Sequence, residues 1–168
     1  MILKNIIITI LLMLTVSCGY HLRRAIDLPE QYRNLYVEGA SPALKKQLKK
    51  LIKTSSAKLV SEPESAGLVL HVIEDNMRQN VLSLSTTGKA TEYELYYVLT
   101  FELLDADGNS LMPRDSIELS RDFFDDQSGD TVLGKAAEAN TIRQEIYKQA
   151  VRRLFDQARG YLRKLPGN

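Results

Sequence analysis

The chain has 168 residues, 44% of them hydrophobic and 26% charged, with 22 lysines and arginines against 21 aspartates and glutamates. That balance describes one globular domain with a real core. It excludes a disordered tail, a multi-span membrane protein and a basic nucleic-acid binder, and the single cysteine excludes an internal disulfide.

The amino terminus has the layout of an export signal. Lys4 is a short positive region, residues 6–16 form an apolar stretch broken only by threonines, and Ser17 is a small residue beside a cleavage point. The apolar stretch is too short to span a bilayer comfortably as a helix. Residues 1–17 are therefore expected to be a signal peptide rather than a transmembrane anchor. Ser17-Cys18 resembles the lipobox of bacterial lipoproteins, in which the thiol next to the cut is alkylated with diacylglycerol and the new amino terminus is acylated. Thr15 stands where a lipobox usually has leucine, and Leu14 lies one place further out. Several acyl chains anchor a protein far more firmly than one. Gly19, in place of the aspartate that retains lipoproteins at the inner membrane, implies the outer membrane, facing the periplasm. Cys18 is thus the expected lipidation residue, and no cofactor is expected besides that covalent lipid. Loss of Lys4 with the signal leaves a formal net charge near zero.

Residues 18–30 are polar and mixed, and are expected to form a lipidated tether. A single domain follows at 31–165, with a tail at 166–168. The spacing of Leu35 and Val37 predicts a first strand over 32–39, ended by Gly39. Ser41 is a good N-cap and Pro42 suits the first position of a helix. In that helix Leu44, Leu48, Leu51 and Ile52 form one apolar face, with Lys45, Lys46, Lys49, Lys50 and Lys53 around it. Residues 58–61 are a short strand and 63–67 a turn. Strands follow at 68–75 and 81–85, the latter leading into a turn at 86–89.

Residues 91–104 carry the cleanest period-two pattern. Tyr93, Leu95, Tyr97, Leu99, Phe101 and Leu103 lie on one face; Glu92, Glu94, Tyr96, Val98, Thr100 and Glu102 lie on the other. Asp107-Gly108 marks a hairpin turn, and a last strand is predicted at 116–124. After an acidic loop at 125–130, a long helix over 132–165 carries the stripe Ile142, Ile146, Ala150, Leu154, Ala158 and Leu162. The overall order is taken as β-α-β-β-β-β-α, one strand fewer than the six strand segments named above. It predicts an α+β two-layer sandwich, with two helices on one face of a mixed, mostly antiparallel sheet of four to five strands. The face holding Glu92, Glu94 and Tyr96 mixes carboxylates with tyrosine and is the candidate partner-facing surface.

No residue pattern supports catalysis. His21 falls in the tether and His71 in a strand, the latter expected to be a satisfied sheet residue rather than a metal ligand. The acidic loop lacks the register and closing glutamate of a calcium site. The lysines of the first helix and the basic residues of the second are expected to be solvated faces.

Three stretches resemble the LptE family of lipopolysaccharide-assembly lipoproteins. They are Cys18-Gly19-Tyr20-His21-Leu22-Arg23, Thr87-Gly88-Lys89-Ala90-Thr91-Glu92-Tyr93 and Arg121-Asp122-Phe123-Phe124-Asp125. The resemblance implies a non-enzymatic protein of the outer membrane. It would sit on the periplasmic side and in the lumen of the β-barrel LptD, one to one, plugging it, helping it assemble and contacting lipopolysaccharide. The family's basic position near the turn falls at Thr86 or Thr87, with Lys89 beyond it. A second basic position falls at Gln144, beside Arg143. Lys89 and Arg143 are therefore the candidate lipopolysaccharide contacts. The alternative is another periplasm-facing lipoprotein acting as an envelope-maintenance adaptor or cell-wall binder.

Overall fold

The computed structural model describes residues 28–124 and 132–165, with backbone alone for 132–136. The expected signal peptide, Cys18, most of the tether, the acidic loop and the tail at 166–168 lie outside the described residues.

The elements are β1 (Asn34–Glu38), α1 (Pro42–Ile52), β2 (Lys58–Leu59), β3 (Leu68–Leu84), β4 (Ala90–Leu104), β5 (Ser110–Phe124) and α2 (Val132–Leu162). They form one five-stranded sheet in the order β2-β1-β3-β4-β5. β1 runs parallel to both its neighbours, whereas β3, β4 and β5 are an antiparallel meander. Both helices pack on one face, so the expected α+β sandwich and its β-α-β-β-β-β-α order hold.

Local chemistry explains the boundaries. Ser41 caps α1, its hydroxyl oxygen accepting from the Leu44 N–H at 3.2 Å, and Pro42 follows at the start of the helix. Gly39 ends β1 at φ +76°, where a Cβ would lie 2.1 Å from the Val72 carbonyl oxygen. Leu28 does not belong to a free tether: it is buried, and its N–H donates to Ser56 Oγ at 3.0 Å.

Two strands are longer than expected. The segments 68–75 and 81–85 are one strand of 17 residues. The polar stretch between them is held by pairing with β4, from Asn76↔Val98 to Asn80↔Glu94, and register shifts at Val72/Glu74 and Val81/Ser83 absorb the irregular pattern. β5 begins at Ser110 rather than 116 and contains Pro113. Pro113 falls in the register shift between Met112↔Leu103 and Asp115↔Phe101 on this edge strand, where a missing N–H is tolerated.

The core lies between the sheet and the helices. α1 contributes Leu44, Leu48 and Ile52. α2 contributes Ile146, Ala150, Leu154, Ala158 and Leu162 of the expected stripe, and also Val151 and Phe155. Opposite them, Leu95, Tyr97, Leu99 and Phe101 are fully buried. Burial of each such aliphatic side chain is worth about 1.5–3 kcal/mol.

Candidate functional site

Strand alternation sends every second side chain of β3, β4 and β5 away from the helices. Tyr97↔Leu119 and Leu99↔Ile117 face the core, so Tyr96, Val98 and Thr100 face outward beside Ser120, Glu118 and Ser116. On the β3 side the same outward rows continue with Arg78, Asn76 and Glu74. Glu92 and Glu94 share this face, as expected, together with Tyr96.

Side chains tie these strands together across the face. Asn80 Nδ2 donates to Glu94 Oε2 at 3.0 Å and Ser83 Oγ donates to Glu92 Oε2 at 2.8 Å. The Tyr96 hydroxyl donates to Glu118 Oε2 at 2.5 Å. That bond, then partial desolvation and the Glu118 charge, raise the Tyr96 hydroxyl above its ordinary value. His71 Nδ1 and Glu102 Oε1 meet at 2.8 Å, so His71 is a satisfied sheet residue. Arg78 lies 4.0 Å from Glu74 on its own strand. The result is a pre-positioned array of carboxylates around an accessible tyrosine.

The two candidate cations are placed apart. Lys89 is exposed in the β3–β4 turn, where its N–H donates to Ser85 Oγ at 3.1 Å and its carbonyl accepts from the Ser85 N–H at 2.7 Å. Arg143, on α2, donates to Gln79 Oε1 at 2.9 Å and to Asn140 Oδ1 at 3.1 Å. Gln79 and Ser85 are six steps apart, roughly 20 Å along an extended strand. The structure therefore does not bring Lys89 and Arg143 into one contact. Gln144, next to Arg143, turns the other way and lines a groove of about 380 Å³ between the helices with Gln47, Lys50, Glu145, Lys148 and Arg152.

Sequence reasoning missed Glu118 and Asp122, the β5 partners of this face. The alternation of Ile117 and Leu119 with Ser116, Glu118 and Ser120 carried the signal. It also missed Asp75, which points inward and joins β3 to the start of α1 and to β4. Among the described residues, no group of three or more His, Cys, Asp or Glu is placed to hold a metal ion, and no helix is long and apolar enough to cross a membrane.

The LptE family model, described as lipopolysaccharide-assembly, matches residues 31–158. The LPS-assembly lipoprotein LptE of Pectobacterium atrosepticum is 26% identical over 155 residues, covering 90% of this chain and 82% of its own. Its counterpart in Photorhabdus laumondii is 27% identical over 161 residues, covering 92% and 86%. An uncharacterized lipoprotein B from Nitrosomonas europaea, solved by NMR in solution, superposes with a TM-score of 0.71 at 26% identity, over 87% of this chain and 94% of that one.

Proposed function

The chain belongs to the LptE family of lipopolysaccharide-assembly proteins, and we propose that it is a lipid-anchored plug of the outer-membrane barrel LptD. In this reading it pairs one to one with that barrel, helps it assemble, and assists the passage of lipopolysaccharide to the outer leaflet. The open sheet face is the observation that carries the reading. A polar surface whose side chains are tied across strands suits the lumen of a large barrel, which is itself polar. The helices stiffen that sheet from behind.

Diacylglycerol and an N-acyl chain on Cys18 would hold the protein to the periplasmic side of the outer membrane. Ten residue steps from Cys18 to the buried Leu28 reach no more than about 35 Å. Lys89 and Arg143 are the proposed lipopolysaccharide contacts, each a cation suited to a phosphate. Because they stand apart, they would meet different parts of that large amphiphile.

Extraction of the full, tagged chain in mild detergent tests the reading. The expected result is a stable one-to-one complex with a large β-barrel identified by mass spectrometry. Recovery of the free lipoprotein alone would overturn it and favour an envelope adaptor or cell-wall binder.

A further inference from the structure

The charges of this protein are sorted by layer. α1 carries four lysines and no carboxylate. In α2, from residue 137, basic residues also outnumber acidic ones. The open sheet face has the opposite sign. Its outward rows, from Ser83–Glu92–Phe124 to His71–Glu102, hold Glu74, Glu92, Glu94, Glu102, Glu118 and Asp122. Arg78 is the guanidinium within the rows from Ser83 to Glu74, with Glu74 beside it, and exposed Arg114 flanks the Glu102 row at the β5 register shift. Six of the chain's 21 acidic residues therefore stand together on a sheet face that no described element covers.

Several of these carboxylates are held in place. Glu94 is fixed by Asn80, Glu92 by Ser83 and Glu118 by Tyr96. Each keeps lone pairs for a further donor. Along one face of a strand the side chains repeat about every 6.8 Å, and neighbouring strands lie about 4.8 Å apart. A facing β-wall presents its own side chains on the same grid. Three strands over a dozen residues give a footprint of about 590 Å², roughly three-quarters of the 800 Å² or so per partner of a stable protein interface. Fixed acceptors on such a grid match guanidinium groups, which bind carboxylates in two parallel bonds and stack on a tyrosine ring. Phosphate-bearing ligands would be repelled.

We propose that the open sheet face docks a cationic protein wall, with Glu94, Glu118 and Asp122 receiving arginine or lysine side chains around Tyr96. The proposal rests on the barrel reading and adds the face used and the charge of the wall it meets.

A photoreactive phenylalanine analogue in place of Val98, half-buried in the middle of this face, tests it in living cells producing the full chain. The same analogue in place of Lys46, exposed on α1, is the comparison. The adduct at Val98 is expected to contain a peptide bearing arginine or lysine. Its yield is expected to fall at least tenfold in the Glu94→Lys, Glu118→Lys, Asp122→Lys variant. The milder Glu94→Gln, Glu118→Gln, Asp122→Asn set should lower it in the same direction and guards against a folding defect. The proposal fails if the yield is unchanged in both sets, if the captured peptide has no basic residue, or if adducts form only from Lys46. A basic peptide from a protein that is not a barrel would uphold the face and overturn the barrel reading. A barrel captured only from Lys46 would do the reverse.

Discussion

The Tyr97 hydroxyl donates to Asp75 Oδ1 at 2.8 Å, while Asp75 Oδ2 accepts from the Ser41 N–H at 2.8 Å. One carboxylate thus joins β3 to β4 and to the first turn of α1. The Tyr97 ring is fully buried and meets Tyr147 of α2 edge to face at 4.9 Å between centroids. Removing the hydroxyl leaves Asp75 one donor short. Tyr97→Phe is expected to cost about 1–3 kcal/mol, read as a fall in melting temperature by circular dichroism.

The same residue sets an alkaline limit. Burial, followed by the Asp75 charge, raises the Tyr97 hydroxyl far above its ordinary value of 10.0. A group raised in the folded state gives its full contribution below the unfolded value and loses it as pH climbs toward the folded one. Stability should therefore decline above about pH 10, and the decline should be shallower in Tyr97→Phe although that variant is less stable at pH 7. Parallel slopes in the two proteins would count against this role.

Asp105 works in the opposite sense. Its carboxylate accepts the N–H groups of Asp107 and Asn109, and the Asn109 side chain, at 2.8–2.9 Å. The Asn109 side-chain bond leads in holding the carboxyl below its ordinary 3.8. Its contribution is present above that value and is lost as pH falls through the depressed one. An NMR titration should place its midpoint below 3.8, and Asp105→Ala should loosen the turn between β4 and β5.

Two glycines separate crowding from chain entropy. A Cβ on Gly67 would sit 1.9 Å from the Gln31 carbonyl oxygen, whereas one on Gly160 would meet nothing within 4 Å. Gly67→Ala should destabilise by about 2 kcal/mol or more, since backbone must move. Gly160→Ala, on a helix, should stabilise by roughly 0.5–1 kcal/mol. Chemical denaturation of the two variants checks both signs.

For the proposed ligand contacts, Lys89→Ala and Arg143→Ala should each weaken lipopolysaccharide binding several-fold. Their distance makes additive effects the expectation. Unchanged binding in the double variant rules the two residues out. For the anchor, Cys18→Ser should move the protein from the membrane fraction to the soluble periplasm, and intact mass should show the acyl chains only with cysteine present.

Much of the architecture could be read directly. Ser41-Pro42 announced α1, the Tyr93–Leu103 alternation gave the buried face of β4, and the Ile142–Leu162 stripe gave the inner side of α2. What escaped notice was polar sequence inside strands. Asn76 to Asn80 look like a loop because nothing local marks them as paired; only their partners across β4 hold them extended. Pro113 looks like a strand end, because edge position is a property of the sheet and not of the residue. Half of the candidate face was legible for the same reason. Glu92, Glu94 and Tyr96 follow from one strand's period, but Glu118 and Asp122 join them only through the register of β5.

The place of β1 has a bearing on how the chain reaches this structure. β1 sits between β2 and β3, and its main seat, the free edge of β3, does not exist until residues 68–71 arrive. β3, β4 and β5 need only two tight reversals to zip together, and contacts near in sequence close fastest. The amino-terminal strand is made first but can dock only once the free edge of β3 exists, and β2 then adds outside it. A lipid-bound terminus would hold that strand within reach while the meander assembles.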